Sequence, residues 1–144
     1  MRFALAPVLL IIVMAVAACA SSSLYSTASA SNDRLGAQGL PFRWSVETTS
    51  DGGEAMIMHM LPLPVGQTRA DEHTTGEILG AILRKEQGKG RPSAQLKEVR
   101  QMPDGREVWI LQSPYDGIAY VVTLGSANQG VARIGLLGPY TYAQ

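Results

Sequence analysis

The side chains best suited to chemistry in this 144-residue chain are two histidines, one cysteine and a cluster of methionines. Met56 to Met60 read "MIMHM". Thioether and imidazole together are a Cu(I) donor set, so a periplasmic Cu(I)-binding protein is one candidate class. Strand alternation, however, puts Met56, Met58 and Met60 on one face and His59 on the other. Methionine is also a flexible core filler, and core packing is the reading adopted. Around His73, "ADEHTTGE" gathers Asp71, Glu72 and Glu77. Imidazole and carboxylates can hold zinc, but acids also suit the positive end of a helix, and no metal site is expected. Any serine could fold beside either histidine, yet no G-x-S-x-G elbow marks a nucleophile. No catalytic residue, metal or cofactor is assigned, and a non-enzymatic protein is expected.

The elements that would position such residues are marked by turns. Asp51-Gly52-Gly53 separates 42–49 from 54–61, and Pro103-Asp104-Gly105 separates 96–102 from 106–113. Asp116-Gly117 precedes 118–125, and Asn128-Gln129-Gly130 precedes 131–137. Glycine after Asp or Asn supplies hairpin geometry. Phe42, Trp44 and Val46 alternate with polar residues, as in a strand with one dry face. Val108 to Leu111 are consecutively apolar, which suits a central strand. One helix is expected from Asp71 or Thr75 to Gln87, with a Thr74–Glu77 capping box and an Ile78, Leu79, Ile82, Leu83 stripe. Gly76 and Gly80 would bring its back close to the sheet. The fold class expected is α+β: a twisted antiparallel sheet of five or six strands with one main helix.

Twelve basic and twelve acidic residues balance, so there is no electrostatic footprint for nucleic acid. Charge is nevertheless local. Arg84, Lys85, Lys89, Arg91, Lys97 and Arg100 hold about half the positive charge downstream of residue 18. They suit helix C-terminal compensation and a solvated face. Arg84, Lys85, Lys89 and Arg91 are also candidate partner-binding residues, as are Tyr140 and Tyr142, because tyrosine is enriched at interfaces.

Arg2 followed by the apolar run 3–18 reads as a signal peptide. The run is shorter than the roughly 20 residues of a usual span. It ends in Val16-Ala17-Ala18-Cys19. This resembles the lipobox of bacterial lipoproteins, which implies cleavage between Ala18 and Cys19 and lipidation of Cys19, its thiol accepting diacylglycerol, so that several acyl chains such as palmitate anchor one residue. Ala20, rather than Asp, implies the periplasmic face of the outer membrane in a Gram-negative cell. Ser21 to Gln38 is rich in small polar residues, so 19–39 is expected to be a flexible tether spanning about 25 Å. Residues 40–144 are expected to form a single α+β domain.

The layout resembles the DcrB-like lipoproteins of the Mog1/PsbP-type fold. It runs through "LPFRWSV", "EAMIMHML", "TTGEILGAILRKEQ", "AQLKEVRQMPDGREVWI" and "GIAYVVTLGSANQGVARIGLLGP". That family closes with a C-terminal helix; here "GPYTYAQ" follows, so the expected version lacks it. The resemblance implies an envelope lipoprotein that acts by protein–protein interaction, as an accessory subunit of an envelope or secretion assembly. An immunity lipoprotein that neutralises a toxic effector is the alternative.

Overall fold

The computed structural model describes residues 23–112, 117–125 and 133–144. The signal peptide, Cys19, Asp116 and the 128–130 turn lie outside them. The fold is α+β, with two helices and seven strands in two antiparallel sheets among the described residues. The chain divides into two compact units, one ending at His59 and one from Met60 to Gln144.

The first unit corrects the tether. Residues 23–37 are helical (α1). Leu24, Ala28, Asn32 and Leu35 recur at helical spacing and are among the more covered positions, Ala28 being 5% exposed. Hydroxyls that would compete with the helix are turned onto it: Ser26 and Thr27 donate to the Ser23 carbonyl at 3.0 and 2.7 Å. The helix stops at Gly39, whose φ of 60° suits glycine. Leu40 N–H reaches Leu35 O, and Gly39 N–H reaches Gly36 O, both at 2.9 Å. Next come β1 (Phe42–Thr48) and β2 (Glu54–Met60), paired as a hairpin. Asn32 ties α1 to β1 by accepting from Trp44 N–H at 2.7 Å and donating to Trp44 O at 2.9 Å. In the hairpin turn, the Asp51 carboxylate accepts from the Thr49 hydroxyl at 2.5 Å and the Gly53 N–H at 3.3 Å.

The second unit is the expected meander plus one strand that periodicity did not reveal. It comprises β3 (Val65–Gly66), α2 (Glu72–Gly88), β4 (Gln95–Gln101), β5 (Glu107–Gln112), β6 (Gly117–Leu124) and β7 (Ile134–Tyr142). Its sheet order is β3-β4-β5-β6-β7, with β5 central as its apolar run requires. Ile78 and Ile82 of α2 pack with Val99, Trp109, Leu111, Ile118, Tyr120 and Val122. Val108, Ile110, Ala119 and Val121, on the sheet's other face by alternation, are also buried. Among the described residues, no helix is long and apolar enough to cross a membrane.

Four local expectations change. Asp71, not Thr74, caps α2, accepting from Thr74 N–H at 2.7 Å, and Thr74 is buried inside the helix. Leu83 is exposed, and the buried row runs Thr74, Ile78, Ile82, Glu86. Gly76 faces open space, and the nearest group to a Cβ at Gly80 would be the Arg84 guanidinium, so neither glycine serves close helix–sheet packing. The aromatic tail is itself strand. β7 continues to Tyr142, whose ring lies over Gly117, its cross-strand partner, where a Cβ would collide with it.

Candidate functional site

Among the described residues two carboxylates are wholly buried, Glu86 and Glu107, and both lie in the second unit. Glu107 opens β5 on the same side as Trp109 and Leu111. Its Oε1 accepts from Arg69 N–H at 2.8 Å. Its Oε2 accepts from the Thr68 hydroxyl at 2.8 Å and Trp109 Nε1 at 2.9 Å. Burial pushes its pKa up, but these three donors and the Arg69 charge outweigh burial and hold the carboxyl below its ordinary 4.5.

Glu86 follows Ile78 and Ile82 on the buried side of α2. Tyr120 donates its hydroxyl to Oε1 at 2.5 Å, and Arg91 Nε donates to Oε2. Burial first, then the bond to Glu86 and its charge, pushes the Tyr120 phenol well above its ordinary 10.0. The Lys85 ammonium stands 6.0 Å from the Tyr120 ring centroid. Trp109 and Tyr120 are cross-strand partners, so the two acids flank one aromatic pair. Among the described residues, no buried side-chain nitrogen or oxygen lacks a partner.

Arg91 also closes the helix. Its N–H donates to Glu86 O at 2.9 Å across Gly90, which has φ 77°. The segment that follows borders a cleft of about 490 Å³ lined by polar Arg91, Ser93, Gln95 and Gln112 and apolar Pro92 and Ile118, among others. Gln95 and Gln112 are cross-strand partners at the end of the sheet.

The residues anticipated for partner binding divide. Arg84, Lys85 and Lys89 are exposed. Arg91 is half-buried and tied to Glu86. Tyr140 is half-buried and Tyr142 is only 8% exposed, so Tyr142 is a packing residue rather than an open contact. Burial pushes both phenols above 10.0.

Met56, Met58 and Met60 are half-covered rather than deep in a core. His59 Nε2 lies 2.5 Å from Glu47 Oε1 and 3.0 Å from Ser45 Oγ, and Ser45 Oγ donates to the same Glu47 oxygen at 2.7 Å. A nucleophilic relay needs the acid on one ring nitrogen and the serine on the other. Here both oxygens address one nitrogen, so the cluster ties the hairpin instead. Its largest effect on Glu47 is the Ser45 hydrogen bond, which with His59 holds the carboxyl below 4.5. His73 makes only an exposed 3.6 Å contact with Glu77. Among the described residues, no group of three or more His, Cys, Asp or Glu is arranged to hold a metal ion.

Sequence reasoning missed Glu86 and Glu107. The signal was positional: each is an acid falling on the apolar row of its element, one helical turn beyond Ile82 and two residues before Trp109. No known family model matches the chain, and no curated protein or solved structure matches it.

Proposed function

We propose that this chain is an envelope lipoprotein, anchored through Cys19 at the periplasmic face of the outer membrane of a Gram-negative cell. It acts there without catalysis, by holding a protein partner as an accessory subunit. The observation that carries the reading is Val16-Ala17-Ala18-Cys19, with the one cysteine of the chain at the end of its leading apolar run. Small residues at the exit give a peptidase access, and the thiol is the nucleophile that accepts the lipid.

Two structural features support it. The buried acids Glu86 and Glu107 are committed as acceptors to Tyr120, Arg91, Thr68, Arg69 and Trp109. The exposed Arg84, Lys85 and Lys89 offer a basic surface to an acidic partner.

The anchoring test replaces Cys19 with Ser. The unaltered protein takes up a labelled fatty acid and sediments with membranes; the variant does neither. Equal labelling of the two forms overturns the lipoprotein reading. For the partner, reversing Arg84 and Lys89 to Glu leaves the fold intact and weakens cross-linking to a partner in intact cells. An unchanged cross-linking pattern removes this surface from the proposal.

A further inference from the structure

The cleft beside Arg91 has the features of a built anion site. Its volume of about 490 Å³ falls within the usual range for small-molecule sites. Arg91 is held twice by one residue: its N–H binds the Glu86 carbonyl at 2.9 Å and its Nε binds the Glu86 carboxylate. Glu86 is itself 0% exposed and is fixed from its other oxygen by the Tyr120 hydroxyl at 2.5 Å. A guanidinium carries five N–H donors in a rigid fork. Nε faces Glu86, and the Arg91 side chain keeps 38% exposure, so the terminal nitrogens can serve a ligand. A guanidinium oriented before binding loses less freedom on capture.

We propose that this cleft binds a singly charged carboxylate carried on an apolar body, with Arg91 as the anion-recognising group. The class follows from charge and lining. Arg91 is the one charged side chain among the described residues lining the cleft, and Glu86 already pairs with it. A single, already paired cation suits one negative charge better than the two of phosphate. None of the described residues lining the cleft is acidic. Gln95, Gln112 and Ser93 carry neutral hydrogen-bonding groups suited to carboxylate oxygens, whereas Pro92 and Ile118 suit an apolar group. The carboxylate can belong to a free small molecule or to the end of a peptide chain. This site goes beyond the anchoring reading and does not depend on it.

The test titrates the isotopically labelled, detergent-extracted protein with N-acetyl-leucine and follows backbone amide signals. Those of Gly90, Ser93, Ala94 and Gln95 should move and saturate. N-acetyl-leucinamide, which lacks the charge, should leave them in place, and inorganic phosphate should bind more weakly. Arg91→Lys keeps the charge but not the fork, and should weaken N-acetyl-leucine at least about tenfold, the value of one charge-assisted hydrogen bond. If Arg91→Lys loses the α2 signals, Gln112→Ala, which leaves the Glu86 tie intact, is read instead and should weaken binding several-fold. A leucine-ending tetrapeptide with a free carboxylate that binds more tightly than N-acetyl-leucine assigns the ligand to a chain end; weaker or equal binding assigns it to a small molecule. Equal response to the amide, tighter phosphate, or unchanged affinity in the variant read overturns the site.

Discussion

Replacing Glu107 with Gln keeps the shape of the side chain and changes one oxygen into an NH₂ group. In the native arrangement Oε2 serves Thr68 and Trp109, and Oε1 serves the Arg69 N–H. The best amide orientation keeps its oxygen towards Thr68 and Trp109. Its nitrogen then faces the Arg69 N–H, donor against donor. One buried donor left unmet costs about 1–3 kcal/mol, and the two surviving bonds lose charge assistance. The sum is about 2–4 kcal/mol, or roughly 1–2 M in the urea midpoint. The assay is urea unfolding in a Trp44→Phe background, which leaves Trp109 as the only tryptophan reporter. The pH dependence follows from the depressed carboxyl. Its contribution is fully present above the unfolded value, near 4.5, and fades as pH falls through the lower folded value. The gap between native protein and variant should therefore be widest near neutrality and narrow below about pH 4.5. A cost within 0.5 kcal/mol, the usual range for a surface substitution, or a gap that does not change with pH, would refute this account of Glu107.

Asn32→Ala removes both bonds to the Trp44 backbone and should cost about 1–2 kcal/mol; unchanged protection of the Trp44 amide in hydrogen exchange would show that the tie is idle. Gly117→Ala drives a methyl group into the Tyr142 ring and should cost about 1–3 kcal/mol, read as a lower melting temperature. Adding Tyr142→Ala to that variant should relieve the clash, so the double variant should be less destabilised than independent costs predict.

What could be read from sequence followed from how strongly each pattern is tied to a single physical cause. The turns at Asp51-Gly52-Gly53 and Pro103-Asp104-Gly105, and the four consecutive apolar residues from Val108, led directly to the observed hairpins and central strand. α1 was not legible, because its stripe of Leu24, Ala28, Asn32 and Leu35 is built partly from small and polar residues. The bonds from Asn32 to Trp44 help to hold it, and no periodicity encodes them. β3 is two residues long and is defined only by pairing with Val99 and Arg100. The α2 cap was misassigned because Asp71 and Thr74 are both good N-caps, and register decides between them. Tyr142 looked like a surface aromatic until its ring was placed over Gly117.

The helix in place of a tether changes what anchoring would mean. On the lipoprotein reading, a flexible 19–39 segment would let the body range about 25 Å from the bilayer. The observed helix already includes residue 23, four peptide steps after Cys19, a distance of at most about 14 Å when fully extended. The first unit would then sit close to the lipid surface, with Tyr25 exposed on α1. Tyrosine suits such a boundary, since its ring is apolar and its hydroxyl polar. On that reading the four peptide steps after Cys19 cannot carry the first unit far from the bilayer.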